Sequence, residues 1–558
     1  MDLIKPLPLS LLVGLAPLAH SQKLIHTHIG DAAQLNLGGE VRAAGDVNGD
    51  GTADYVLGIP ERNDVSQDFG EVRVHSGLTG QVLRSWTGLA GGERLGESVV
   101  GVGDVNADGF GDVLAGAIGA GSGGEVRLYS GADGTLLRMH ASEGPNDEFG
   151  VDVDAAGDLD LDGVTDYVVG AARARSMGNI RAGAIYAYSG ATGAQLLFRG
   201  GVSSGDRFGS SVRAAGDVNG DGRSDFVVGA PDNDDNGSRS GAVEMISGLT
   251  GTTIWRRIGL ASTDEFGEPL DGAGADMSGD GVPDVVVGTA RADYVFVLSG
   301  ATGNTIRLHT GAGTGGNSPA YGRGVCALPD VDGDGLGEYG IGDPTAYNLG
   351  EIRVHSGASG DAILVTNWLD QNHSFGEEIT HVGDLNGDGL PEIGVGATGF
   401  DPPALGNAGR VGIYSPQPGI GTAYCGPAVI GSSGRPATII AYGSRTVSDE
   451  CFSLTAVGLP IATFGYFIAG TAQANSMPLG SIGIVCIGGA NVARFNAPEQ
   501  IVRGPSGSAE IDLLQIPGNP PRPVMPGETW NFQCWFRDSN PAGNATSNFS
   551  SGVSVSFQ

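Results

Sequence analysis

Oxygen-bearing side chains recur in this chain at offsets of one, three, five and nine within short loops, and hard oxygen donors so spaced are ligands for a divalent cation. The first loop offers Asp46, Asn48, Asp50 and Asp54, with Gly51 where the chain must turn sharply and the Thr52 carbonyl at position seven as a further oxygen. The second offers Asp104, Asn106, Asp108 and Asp112 with the carbonyl of Phe110, and the third Asp158, Asp160, Asp162 and Asp166 with that of Val164. Asp217, Asn219, Asp221, Asp225 and the Arg223 carbonyl form the fourth; Asp276, Ser278, Asp280, Asp284 and Val282 form the fifth. The last two are Asp330, Asp332, Asp334 and Glu338 with Leu336, and Asp384, Asn386, Asp388 and Glu392 with Leu390. Five loops carry three carboxylates and two carry four. Two carboxylates at 4 Å repel by about 4 kcal/mol at an effective dielectric of 20, so each loop calls for a cation. Ca²⁺ takes about six to eight oxygens in flexible geometry, whereas Mg²⁺ demands a stricter octahedron. Up to seven structural Ca²⁺ ions are therefore expected, the fifth site being the weakest because Ser278 is neutral. An EF-hand is excluded, since Leu57 occupies position twelve where that loop needs Glu.

Other chemistry is sparse. Gly201-Val-Ser-Ser-Gly205 matches G-x-S-x-G without a strand-turn-helix around it, so no catalytic residue is assigned. His75 and His355 stand in third strands where other units have Tyr129 or Tyr188, which reads as packing. Asp232, Asp234 and Asp235 read as a solvated acidic loop rather than an extra cation or sugar site. Trp86, Trp255 and Trp368 read as core or groove residues.

The elements that position the loops are as regular as the loops themselves. Successive first aspartates are 54 to 59 residues apart, and every unit repeats one pattern. A short run such as Val41–Ala44 enters the acidic loop, an alternating run (Tyr55–Leu57) leaves it, and a variable loop leads to a third run (Val72–His75). A Ser-Gly-x-x-Gly turn then gives a fourth (Val82–Trp86). Four short strands bounded by Gly, Asp and Pro make one antiparallel sheet, and seven such sheets predict an all-β, seven-bladed β-propeller. The seventh unit lacks its fourth run: Val411–Tyr414 is followed by Ser415-Pro-Gln-Pro418. Lys23–His28, ahead of the first unit, resembles fourth runs such as Leu136–His140, which predicts that the N-terminal strand completes the last sheet and clasps the ring.

The seven units resemble FG-GAP repeats, the blades of the integrin α-subunit head and of related bacterial secreted proteins, over about residues 23 to 418. The FG element stands at Phe149-Gly150, Phe208-Gly209, Phe266-Gly267 and Phe375-Gly376, with Leu37-Gly38, Leu95-Gly96 and Tyr321-Gly322 as variants. The GAP element is Gly229-Ala-Pro231, with looser copies at Gly58, Gly116 and Gly342. The resemblance implies a propeller that recognises an extracellular ligand.

Strand reversal places the acidic loops and Ser-Gly turns on one rim and the variable loops (62–68, 173–182, 232–240, 401–408) on the other. Variable loops on a rigid scaffold are where recognition sits, so the cations are expected to be structural. Composition agrees: 63 acidic against 30 basic residues, a net charge of −33 and 99 glycines exclude nucleic acid as a partner and favour a turn-rich fold. Residues 1–21, with Lys5, an apolar run and Ala19-His-Ser21, read as a secretory signal peptide; no later stretch is apolar enough to span a membrane. Residues 22–418 are then the propeller, and 419–558 a small β-sandwich-like module holding Cys425, Cys451, Cys486 and Cys534. Two disulfides are expected there in an exported protein, in one of three connectivities of which 425–451 with 486–534 is preferred, with Cys326 left as a free buried thiol. The resulting expectation is a secreted or cell-surface, non-catalytic adhesion or recognition protein whose protein or glycan ligand binds opposite the calcium loops. The competing readings are an extracellular polysaccharide lyase or hydrolase and a structural envelope component.

Overall fold

The computed structural model describes residues 21–61, 68–272, 274–311, 320–346, 350–366, 374–402 and 405–417 of the repeat array. Beyond it are described 422–424, 437–443, 452–457, 459, 464–478, 481, 484–488, 492–497, 500–503, 507–510, 516–517, 521–539 and 545–558. Two compact units result, one of His20–Gln417 and one containing Pro418–Gln558. No helix among the described residues is long and apolar enough to cross a membrane.

The first unit contains seven four-stranded antiparallel sheets, six in simple meander order and the seventh closed by the N-terminal strand. The N-terminal strand β1 (Ser21–Ile29) precedes the first blade, which consists of β2 (Glu40–Gly45), β3 (Asp54–Ile59), β4 (Glu71–His75) and β5 (Val82–Thr87). Buried on both faces, β3 is apolar throughout apart from Asp54 at its start, and the outer strand β5 alternates. The expected clasp is present. β1 pairs antiparallel with Arg410–Gln417, from Ser21 opposite Gln417 to Ile29 opposite Arg410, and completes the seventh sheet.

Blade packing gives the FG and GAP elements their physical meaning. The FG side chains Phe149, Phe208, Phe266 and Phe375 are buried, and Phe208, Phe266 and Phe375 form parallel bridges to the glycine just before the third strand of the preceding blade. A Cβ on the GAP glycine Gly229 would collide with the carbonyl of the FG glycine Gly267 in the next blade. The same collision recurs from Gly58 onto Gly96 through to Gly396 onto Gly38, so seventh and first blades meet as all the others do. Aromatic rings interlock further out: Trp86 stacks on Tyr129 at 4.7 Å, His140 on Tyr188 at 4.1 Å, and His28 lies 4.0 Å from His75. His75 and His355 are thus packing residues. Trp86 and Trp255 donate their indole N–H groups to the carbonyls of Gly134 and Gly300 in the next blade, and Trp368 lies outside the described residues.

The second unit is a six-stranded sheet facing a three-stranded one across a core of Phe452, Phe467, Phe495, Trp530, Phe532 and Phe536. Its cysteines depart from expectation. Cys534 is a free, buried core thiol, so the 486–534 bridge is not made. Neighbouring residues of a strand point to opposite faces, and the Cys486 amide donates to the Gln533 side chain, on the face away from Cys534. Cys486 is disulfide-bonded, while Cys425 and Cys451 lie outside the described residues, as do residues 1–20 of the expected signal peptide. Cys326 is free and buried.

Candidate metal centres

Each acidic loop links the first and second strands of its blade and is built from its own side chains. In the first, the position-two residue Val47 is buried and anchors the loop, while Asp46 and Asn48 are half-buried and Asp50 is exposed. Asp46 shapes the turn: one oxygen accepts the amides of Gly49 (2.6 Å) and Asp50 (3.2 Å), the other that of Gly51 (2.9 Å). Asn48 Oδ1 accepts the Asp50 amide at 2.8 Å and Asp50 the Thr52 amide at 2.9 Å. These bonds occupy only part of the roughly four acceptor positions of each carboxylate.

Position nine is fully buried in all seven blades. Asp54 accepts the Val47 amide (2.9 Å) with one oxygen and, with the other, the amide of Gly77 (3.0 Å) in the Ser-Gly turn between the third and fourth strands. Asp112, Asp166, Asp225 and Asp284 make the same bond to Gly131, Gly190, Gly248 and Gly300 at 2.8 to 3.1 Å. The turn grips back through its serine: Ser130, Ser247 and Ser415 donate to Asp108, Asp221 and Asp388 at 3.3 Å. Loop and turn therefore share one rim. Glutamate replaces aspartate in the last two blades, and the bonding changes. Pro416 stands where the other turns have glycine and has no N–H to give, so Glu392 takes the Asn386 side-chain amide at 2.6 Å instead. Glu338 accepts the Val331 amide with Oε2, while its buried Oε1 has no hydrogen-bond partner among the described residues.

That orphaned oxygen is the test of fit for a cation. In the sixth loop, oxygens of Asp330, Asp332, Asp334 and Glu338 all lie within 4.8 Å of one another, as do those of Asp158, Asp160 and Asp166 in the third. Oxygens sharing one Ca²⁺ at about 2.3–2.6 Å can be no more than about 5 Å apart, so both groups suit a hard dication. The other five loops have Asn or Ser at position three and gather fewer charges. Electrostatics point the same way. Burial pushes Glu338 up to about 8, Glu392 to about 7, and Asp112, Asp225 and Asp284 to about 6; backbone amides pull them down and neighbouring carboxylates push them up. At position one of the fifth loop, burial acts to raise Asp276, yet the amides of Gly281, Gly279 and Ser278 hold it below the usual carboxylate range.

Two contributors escaped the sequence reading. The position-two residue is buried in every loop, from Val47 to Leu385. It also reaches the next blade: Val47 adjoins Gly131, Val105 adjoins Gly190, Leu159 adjoins Gly248, and Leu385 adjoins Gly77 across the ring closure. The second is the direct bond to position nine from the Ser-Gly turn, expected on the same rim but not as a partner, whose glycine could not carry a side chain against the loop backbone. An apolar residue after every first aspartate was the available signal. The acidic trio 232–235 is ion-paired instead: Asp232 to Arg207 and Arg239, Asp235 to Arg256, with Asp234 accepting the Arg239 amide.

Comparison with known proteins agrees with this architecture. Residues 208–243 and 376–414 match the FG-GAP repeat family. Integrin alpha pat-2 of Caenorhabditis elegans is 30% identical over 267 residues, 41% of this chain and 21% of that protein. Integrin alpha-2 of Mus musculus is 32% identical over 165 residues, covering 26% and 14%. Integrin alpha-5 of Xenopus laevis is 28% identical over 208 residues, covering 34% and 19%. The chain thus spans about a fifth or less of the length of these relatives.

Proposed function

We propose that this integrin-alpha-like FG-GAP repeat protein is an exported, non-catalytic recognition protein, whose acidic rim binds calcium as structural reinforcement and whose opposite rim binds an extracellular ligand. The carrying observation is the buried, unpartnered Glu338 oxygen among three aspartates, which a dication would satisfy. The side chains at positions one, three, five and nine and the carbonyl at seven would hold the ion in each loop. Bound calcium would neutralise the loop carboxylates and fix position two against the next blade. Stiffening falls on one rim and leaves the other free for contact.

Support for recognition on the far rim comes from its charged order. Arg173, Glu148, Arg207, Asp232, Arg239, Glu265 and Arg291 alternate in sign along loops of the third to fifth blades, joined by ion pairs of 2.7 to 3.9 Å and one closer contact between Arg239 and Glu265. Such a row presents fixed charges to a partner. Elemental analysis of the purified chain is expected to find several calcium ions, and chelation to lower the melting temperature. A glycan and matrix-protein array, with and without chelator, tests the other half; calcium-free protein with an unchanged melt sinks the metal reading, and an array without hits sinks recognition.

A further inference from the structure

The outer parts of the second and third blades flank a cleft of about 970 Å³, near the top of the roughly 300–1,000 Å³ range of small-ligand sites. Its floor is aromatic. Tyr186 packs against Phe198 with centroids 5.1 Å apart and lies parallel to Tyr188 at 6.4 Å and 12°. Phe198 is 50% exposed, and the Tyr186 hydroxyl has no hydrogen bond among the described residues. Burial, with Asp147 and Glu143 nearby, holds that phenol up at about 12, so it stays a neutral donor.

One wall is basic. Arg173, Arg175 and Arg181 come from the loop before strand Ala184–Tyr188. Arg173 is paired with Glu148 at 3.0 Å, but Arg175 and Arg181 are exposed and make no ion pair among the described residues. In a chain with 63 acidic and 30 basic side chains, two arginines left free in one cleft are available for an anion from outside. The lining also carries hydrogen-bonding groups: exposed Glu143 and Asn146 on the connection between blades, with Gln195 at the outer strand.

We propose that this cleft binds an anionic glycan. Ring faces of the sugar lie on Phe198 and Tyr186, Arg175 and Arg181 take its carboxylate or sulfate groups in charge-assisted bonds, and Glu143, Gln195 and the Tyr186 hydroxyl bond its hydroxyls. An acidic peptide would satisfy the arginines yet leave the flat floor and the acceptor groups unused. The inference rests on the recognition reading above and gives it a ligand class and a place.

Calorimetric titration of the full chain tests it with oligogalacturonate, chondroitin sulfate oligosaccharide, neutral cello-oligosaccharide and polyglutamate as probes. At least one anionic oligosaccharide is expected to bind, at least tenfold tighter than the neutral one and than polyglutamate, and more weakly as salt rises. Phe198→Ala and the double variant Arg175→Ala/Arg181→Ala are each expected to weaken it at least tenfold while melting like the parent; should they misfold, Phe198→Leu and Arg175→Lys/Arg181→Lys take their places, the first expected to lose the stacking and the second to keep part of the binding. Failure of both anionic glycans to bind, equal binding of cello-oligosaccharide or polyglutamate, or parent-like binding by the Ala variants overturns the proposal. Array hits retained by those variants would overturn the cleft while leaving recognition standing, whereas an array without hits would remove both.

Discussion

Asp225 does two jobs that its position in the sequence announces only in part. Its offset from Asp217 makes it a proposed cation ligand, but its two oxygens also accept the buried amides of Val218 and Gly248. Asp225→Ala leaves both donors unpaired, and each buried orphan costs about 1–3 kcal/mol. The variant is expected to lose about 2–6 kcal/mol in urea titration even in chelator, where no cation contributes. A loss confined to calcium-containing buffer would show that the staple is energetically idle. Glu338 gives the converse case, because its Oε1 bonds nothing among the described residues. Glu338→Gln keeps the bond to Val331 and removes one of four clustered carboxylates, so it is expected to melt at or above the parent in chelator and to gain less on adding calcium. Equal calcium gains in both proteins would exclude the sixth loop as a site. The clustering of the loop oxygens was legible at this scale from spacing; the bond to the Ser-Gly turn was not, because its glycine lies 16 to 24 residues beyond position nine and meets the loop only through the sheet.

Strands were more legible than their interlocks. Seven copies of a four-run pattern, with one run missing at the C-terminal end and a spare at the N-terminal end, lead directly to the clasp between β1 and Arg410–Gln417. What lies inside the clasp was not readable. His28 bonds the Tyr55 hydroxyl at 2.6 Å, His26 bonds the Gly77 carbonyl, and His75 Nε2 is buried without a partner. Burial, then the neighbouring His75, His26 and Arg73, hold His28 down at about 3, and burial also lowers His75. A base depressed in the folded state contributes stability that is complete above its unfolded value of 6.5 and is lost as pH falls toward the folded value, since the unfolded chain takes up the proton first. The melting temperature is expected to fall between pH 6.5 and about 4, more steeply for the parent than for His28→Phe. Parallel pH profiles would remove the histidine account. The expectation of a 486–534 bridge failed at the same scale, for cysteine spacing says nothing of which face a strand turns inward. Cys534 faces the core and the neighbouring Gln533 faces Cys486.

For the whole ring, the charge of −33 and the seven loops belong to one argument. Six of the seven position-two residues rest on the next blade's turn, and the GAP and FG glycines meet at every blade boundary including the closure. An open array could lose one end and keep the rest, as nearest-neighbour repeats do, but a closed ring has no end to fray. Releasing one cation should therefore weaken two blades at once and be felt as a single transition. Asp217→Ala/Asp221→Ala, which disarms only the fourth loop while keeping the Asp225 staple, is expected to bind one calcium fewer by elemental analysis and to melt several degrees lower, still in one cooperative step. Chelation of the parent should give the largest drop, with added monovalent salt restoring part of it by screening the uncompensated carboxylates. If calorimetry of the double variant instead resolved a low-temperature step for part of the array beside an unshifted remainder, the blades would be melting as separate units, and calcium would be reinforcing individual loops rather than the ring.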